Sequence, residues 1–352
     1  TAVRTCWCAW PRSSNRPPPG PTAARNPYGE GVTGSIAAFF LGGTISMTGH
    51  GDGAVVRLDG DELLGAVPQL AELDVKIDAR QFRSLPSAAL SFDDIVELVG
   101  AARETDADGI VIVQGTDTIE ESAYLIDLLW DDGRPIVITG AMRNPGLAGP
   151  DGPANLLAAV SVAGDDSCRD LGALVVFADE IHAARFARKT HTTSTGTFAS
   201  PNAGPLGQLV EGVPRMLTRV ERRPTYRVRD AITARVPVLA VGLDDTGDLL
   251  TGLSACDALV VAGLGGGHVP PALADQLGEL AQRAPVVLAS RAGAGAVLTH
   301  TYGYAGSESD LLRRGLIASG FLDAYKSRVL LRVLLAAGCG RDQVADAFVA
   351  AT

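Results

Sequence analysis

Two threonines stand where an apolar run gives way to glycine. Ser35 to Leu41 passes into Gly42-Gly43-Thr44-Ile45, and Ile110 to Val113 passes into Gln114-Gly115-Thr116-Asp117-Thr118. Glycine lets a backbone turn sharply and approach a ligand closely, and ligands of open α/β sheets bind at the carboxyl ends of strands. Two hydroxyls at such ends, one of them beside a carboxylate, suit nucleophilic chemistry, in which a hydroxyl attacks once a neighbour takes its proton. Each segment also has a plainer reading. Gly-Gly-Thr after a strand makes a turn, and Thr116 or Asp117 followed by Glu120 makes an N-cap for a helix over 119–130. Neither loop continues as Gly-x-Gly-x-x-Gly or Gly-x-x-x-x-Gly-Lys, so a nucleotide site is not indicated.

Alternating elements hold these loops. Apolar strand-like runs at 35–41, 110–113, 135–139 and 173–178 are separated by helix-like segments at 91–104, 119–130 and 153–163. This alternation predicts a parallel sheet with helices on both faces. In 119–130, Glu120 and Glu121 occupy the first turn, near the positive end of the helix dipole, with Tyr124, Leu125, Leu128 and Leu129 behind them. A second α/β unit follows, with strands at 236–242, 258–262 and 285–289 and helices at 271–283, 323–337 and 341–350. The expected fold is therefore a two-domain α/β protein, with a larger N-terminal parallel-sheet domain and a smaller C-terminal α/β domain. The expected divisions are a disordered Arg/Pro-rich tail at 1–33, which also reads as an over-extended translation start, the first domain at 34–214, an arginine-rich linker at 215–235 and the second domain at 236–352.

The chain has 352 residues, 46% of them hydrophobic, ample for a substantial core. Its formal net charge of −10, without a clustered basic surface, argues against nucleic acid and favours small-molecule partners. Lys76, Lys189 and Lys326 are the only lysines among 30 basic residues, so a lysine inside a motif is informative. The five cysteines are an odd number, scattered apart from Cys6 and Cys8, and support neither a disulfide framework nor a metal site. No apolar run is long enough to span a membrane, and no secretory signal is evident, so the cytoplasm is the expected location.

The two threonine loops, Gly42 to Ile45 and Gly115 to Tyr124, resemble the two signature segments of bacterial-type L-asparaginases, the asparaginase/glutaminase family. Further resemblance lies in Ala66 to Leu70, Gly140-Ala141-Met142-Arg143, Asp151 to Leu156, Lys189-Thr190-His191-Thr192-Thr193, Gly204 to Gly207 and Gly315 to Gly320. These segments follow the family order from about residue 35 to the end. The resemblance implies hydrolysis of L-asparagine to L-aspartate and ammonia through a threonine nucleophile and an acyl-enzyme, with L-glutamine as a weaker substrate. It also implies no cofactor, and a homotetramer with active sites at a subunit interface.

It carries residue roles too. Thr44 matches the threonine usually assigned as first nucleophile, while Thr116, Asp117 and Lys189 match the inner group; the resemblance leaves open whether Thr116 attacks instead or helps activate water. A lysine desolvated near a hydroxyl can accept its proton, which arginine cannot. Ser87 matches the serine that hydrogen-bonds the substrate α-carboxylate, and Asp117 and Glu308 would pair with the α-ammonium. Backbone N–H groups near Thr116 and Ala141 are the expected oxyanion donors, and Gly115 is expected among the substrate-binding residues. Ser87 also reads as an ordinary loop serine, and Glu308 as a first-turn helix residue.

Three departures stand out. The loop from Met47 to Leu58 has no tyrosine where many relatives carry one that helps the first threonine lose its proton; it offers His50 instead. Tyr302 and Tyr304, close before Glu308, are the preferred substitutes. Gly266 replaces an asparagine common in relatives, and the 291–307 stretch is long, so the asparagine-versus-glutamine preference is open. The competing readings are an amidase for a different amide and a catalytically silent amino-acid-binding homologue. The trio Thr44, Thr116 and Lys189 argues against the silent reading, because binding alone does not need it.

Overall fold

The computed structural model describes residues 33–48, 55–56, 58–228, 231–253 and 255–351. The tail before Thr33, with Cys6 and Cys8, lies outside the described residues, as do His50 and most of its loop.

Eight strands form the larger sheet: β1 (Thr33–Phe40), β2 (Asp74–Gln81), β3 (Gly109–Val113), β4 (Ile136–Thr139), β5 (Ala173–Phe177), β6 (Glu180–Ala183), β7 (Gly207–Val210) and β8 (Val213–Met216). Their spatial order is β8-β7-β6-β5-β4-β3-β1-β2. The strands from β5 to β2 are parallel, whereas β6, β7 and β8 add on antiparallel, so the sheet is mixed rather than wholly parallel. Strands β3, β4 and β5 are buried along their whole length, which is why they read as unbroken apolar runs. The sequence reading missed β2, an edge strand in which Asp74, Lys76, Asp78 and Arg80 alternate with half-buried Val75, Ile77 and Ala79. The last strand, β8, takes in the first two residues of the stretch read as a linker from 215.

Helices α1 (Gly60–Gly65), α2 (Phe92–Arg103), α3 (Ile119–Leu129) and α4 (Gly152–Ala163) belong to this unit. Ser91 and Asp94 close a capping box at the start of α2, and Ser91 thereby fixes where the chain turns from the Ser87 loop into the helix.

The second sheet is parallel, ordered β9 (Val238–Ala240), β10 (Leu259–Gly263), β11 (Val286–Ser290) and β12 (Ile317–Ala318), with α5 (Pro271–Ala281), α6 (Glu308–Arg313), α7 (Ala324–Ala336) and α8 (Arg341–Ala350). One apolar cluster runs through both units: Leu125 and Leu128 of α3, Leu330 and Leu334 of α7, Val260 of β10, and Ile232 and Val236 of the connecting stretch. No described helix is long and apolar enough to cross a membrane.

Strand register places the loops of interest. Phe40 pairs with Val113 and with Gln81, and Val113 pairs with Thr139, so β1, β2, β3 and β4 end level with one another. The loops that follow these four strands therefore emerge side by side at the carboxyl edge of the sheet.

Candidate active site

Gly42 and Gly43 have φ of +101° and +92°, a region that glycine enters without strain. A Cβ on Gly43 would lie 2.2 Å from the Gly115 nitrogen, so the backbones of the two threonine loops are in direct contact. Thr44 opens a short 3₁₀ turn to Ser46, and its carbonyl accepts the Met47 N–H. Thr44 is partly exposed, and no hydrogen-bond partner meets its hydroxyl among the described residues.

The second loop is also a 3₁₀ turn, Thr116–Thr118, inserted between β3 and α3. Neither Thr116 nor Asp117 caps α3: the capping position is Thr118, and its hydroxyl donates instead to the Ser87 carbonyl at 3.2 Å. This leaves Thr116 and Asp117 free for the contact they make. Lys189 Nζ lies 2.9 Å from Thr116 Oγ1 and 2.6 Å from Asp117 Oδ1. Thr116 is 5% exposed and the Lys189 side chain 15%, whereas the Asp117 carboxylate is 71% exposed. The hydroxyl–amine contact is thus shielded from bulk water, while the carboxylate faces outward, where a ligand would arrive.

Lys189 lies in a short ribbon, Arg188–Lys189 paired with Phe198–Ala199. Its N–H donates to Glu120 Oε2 at 2.9 Å, tying the ribbon to the first turn of α3. Glu120 escaped the sequence reading as a site residue, because its place in a helix first turn already explained it. Gln114 was passed over as well. It is fully buried, and its Oε1 accepts the Ser122 hydroxyl at 2.9 Å, bracing the loop against α3.

Ser87 is 3% exposed and lies against Gly115, where an added Cβ would come 2.7 Å from Ser87 Oγ. Gly140 packs on the same loop from the other side: its Cβ would fall 2.3 Å from the Gln114 carbonyl. Asn155 holds this third loop by donating to the Gly140 carbonyl while accepting the Ala178 N–H, each at 3.0 Å. Asp151 accepts the N–H groups of Met142 and Arg143. Among the described residues the N–H groups of Thr116 and Ala141 have no hydrogen-bond partner, as donors for a developing oxyanion require.

The candidates from the second unit form a separate cluster. Glu308 is fully buried; its Oε1 accepts the N–H groups of Thr301 (2.8 Å) and Tyr302 (2.7 Å), and its Oε2 lies 3.1 Å from His268 Nε2. Burial alone would raise the Glu308 pKa, but the hydrogen bonds, those from the Tyr302 and Thr301 N–H groups among them, hold it below the usual carboxylate value. Tyr304 Oη is 3.0 Å from His268 Nδ1, and the Tyr302 and Tyr304 rings meet His268 edge-on, both about half exposed. The structure thus brings together Thr44, Ser87, Gly115, Thr116, Asp117, Ala141 and Lys189. Among the described residues, no hydrogen bond or ion pair joins Glu308, Tyr302 or Tyr304 to them. The sequence reading gives His268 no role. What singles it out is its contact with Glu308, 40 residues away.

Comparison with known proteins covers nearly all of this framework. Residues 35–222 match the family model described as asparaginase, N-terminal, and residues 235–348 match the glutaminase/asparaginase C-terminal domain. The chain is 35% identical over 320 residues to a Deinococcus radiodurans protein named "Probable L-asparaginase", covering 89% of this chain and 96% of that one. It is 33% identical to the L-asparaginase of Bacillus licheniformis over 86% of this chain and 95% of the other. Among solved structures, a Campylobacter jejuni protein described as a probable cytoplasmic L-asparaginase superposes with a TM-score of 0.80 at 29% identity, covering 90% of this chain and 99% of that one.

Proposed function

The chain belongs to the bacterial-type L-asparaginase family, and from that premise we propose that it hydrolyses L-asparagine to L-aspartate and ammonia through the Thr116–Lys189–Asp117 group and Thr44. The observation that carries the residue assignment is the contact of Lys189 Nζ with both Thr116 Oγ1 and Asp117 Oδ1. A neutral amine at 2.9 Å accepts a hydroxyl proton, and the ammonium so formed is held by the adjacent carboxylate.

The reaction then runs in two halves. A threonine oxygen attacks the carboxamide carbon, the oxyanion is met by the N–H groups of Thr116 and Ala141, and the C–N bond breaks as the nitrogen takes a proton and leaves as ammonia. Water then attacks the threonyl ester, giving aspartate and restoring the hydroxyl. Thr44 is the residue acylated, because it is partly exposed and follows Gly43, which lies against the Thr116 loop, while Thr116 and Lys189 move protons. The Lys189 contact favours a second reading in which Thr116 itself attacks, and peptide mapping of a trapped acyl-enzyme separates the two. Ser87 and Asp117 read the α-carboxylate and α-ammonium of the substrate.

The same proposal includes weaker action on L-glutamine, for which the matched C-terminal family supplies the precedent. It also includes a homotetramer with sites at a dimer interface, supported by Tyr302 and Tyr304, which lie half exposed and unconnected to the threonines of their own chain. A cytoplasmic location rests on the likeness to the Campylobacter protein. Ammonia release from asparagine and glutamine tests the reading. Thr44→Ala and Thr116→Val should each lower turnover at least ~10²-fold, as loss of an activated nucleophile or its relay does. Undiminished turnover in both variants, or a wild type that binds aspartate but releases no ammonia, would contradict it.

A further inference from the structure

Lys326 stands out as a charge placed where charges rarely sit. On α7 of the second unit, it is 1% exposed, and charged residues are buried to that degree only when paired. Its Nζ donates to the Ala187 carbonyl at 2.7 Å and lies 3.3 Å from Asp323 Oδ2. Asp323 caps α7, its Oδ1 accepting the N–H groups of Tyr325 and Lys326 at 2.9 Å each. Its Oδ2 also lies 3.8 Å from Arg188 Nε. Burial opposes the Asp323 charge, but the nearby Lys326 and Arg188 outweigh it and hold this carboxyl below the usual value.

Ala187 and Arg188 are the two residues immediately before Lys189. The N–H of Lys189 itself is bound by Glu120 of the first unit. The tripeptide 187–189 is therefore held from both sides, by α3 through Glu120 and by α7 through Lys326 and Asp323. Arg188 adds a further tie by donating to the Gly293 carbonyl of the second unit.

We propose that Lys326 and Asp323 are positioning residues for the reaction, a buried ion pair on the second unit that sets the pose of the Lys189 amine at Thr116. Packing α7 against α3 needs only apolar surface, which Leu330 and Leu334 already supply. A pair buried at some desolvation cost and directed at the backbone beside Lys189 fixes geometry instead. A displacement of about 1 Å at a reacting group lowers turnover about 10²-fold without removing any substrate contact. The inference rests on Lys189 acting as the proton acceptor.

The full-length chain tests it with Lys326→Met, and with Asp323→Asn as a second variant should the first fail to fold. In folded protein kcat should fall about 10²-fold while KM stays within about threefold, since neither residue is placed at the substrate. Arg328→Gln, which removes the α7 ion pair to Glu121, serves as the control and should keep its turnover. A second readout uses the scarcity of lysine: selectively ¹³C-labelled lysine gives signals from Lys76, Lys189 and Lys326 alone. In Asp323→Asn the Lys189 signal should move while that of Lys76 stays. Wild-type kcat in either folded variant, or a lower kcat with an unmoved Lys189 signal, would overturn the proposal. Lys189→Met reports separately on the premise: if it keeps wild-type turnover, Lys189 is not the proton acceptor.

Discussion

Lys189 Nζ lies within hydrogen-bond reach of Thr116 Oγ1 although 73 residues separate them, and one 3₁₀ turn presents Thr116 and Asp117 to the same amine. The burial is uneven, with a shielded hydroxyl and an open carboxylate on one nitrogen. An amine so placed can serve the proposed relay, with the hydroxyl on its inner side and the carboxylate on its outer side.

That arrangement requires a group able to lose its proton. Lys189→Arg keeps the charge and the ion pair to Asp117 but cannot serve as a base. Turnover on asparagine is expected to fall by about 10²–10⁴-fold in Lys189→Arg and Lys189→Met alike, as removal of a general base does. Recovery of activity in the arginine variant would mean that the position needs only a positive charge.

The Gly115–Ser87 contact gives a steric prediction. Gly115 has φ of −65°, so alanine is allowed there by the backbone, but its Cβ would come 2.7 Å from Ser87 Oγ and 2.9 Å from Ser87 Cβ. Gly115→Ala should cost about 1–3 kcal/mol of stability through overpacking. It should also raise KM by displacing the hydroxyl assigned to the substrate carboxylate. Adding Ser87→Ala should recover part of the stability but not the KM, as denaturant melts and initial rates would show.

The second-unit cluster bears on what activates Thr44. Tyr304 Oη reaches His268 Nδ1, and His268 Nε2 reaches the buried Glu308, so a phenol is linked to a carboxylate through an imidazole. If these tyrosines, supplied by a neighbouring copy, replace the tyrosine that the Met47–Leu58 loop lacks, Tyr304→Phe should reduce kcat by about 10²-fold, on the scale of general acid–base catalysis. Tyr302→Phe, whose contact with His268 is through its ring, should reduce it less. Unchanged turnover in both would assign the activation of Thr44 elsewhere.

His182 sets a pH dependence of stability. It is fully buried, with Nδ1 3.0 Å from Ser200 Oγ, and burial pushes its imidazole from the ordinary 6.5 down to about 4. The folded state keeps the ring neutral where the unfolded chain would already bind a proton. The stability this contributes is complete above pH 6.5 and is lost as pH falls from there toward 4, by up to about 3 kcal/mol. Thermal melts between pH 7.5 and 4.5 should therefore fall more steeply for the wild type than for His182→Gln. Parallel curves would show that the ring is not held neutral.

How much of this was legible in the sequence depended on burial and on distance along the chain. Strands β3, β4 and β5 are covered on both faces and announce themselves as apolar runs. The edge strand β2 hides behind its charged alternation, and the hairpin strands β7 and β8 are too short and half-exposed to stand out. Within the site, the glycines read as places where the backbone could approach a ligand; what Gly43 and Gly115 each meet in the chain is another loop. No spacing rule pairs residue 116 with residue 189; resemblance alone linked them, and the strand register and the Glu120 tie account for their meeting. The capping alternative failed for a local reason, since the 3₁₀ turn over Thr116–Thr118 moves the capping position to Thr118.

The most direct measurement of the central claim, a proton relay between Thr116 and Lys189, is a double-mutant cycle on ammonia release from asparagine. It uses the wild type, Thr116→Val, Lys189→Met and the double variant. Residues that act as one unit lose their function together, so the double variant should be about as slow as the slower single one, each at least ~10²-fold below wild type. Losses that multiply, with the double variant near the product of the two single effects, would show that Thr116 and Lys189 act independently and would contradict the relay.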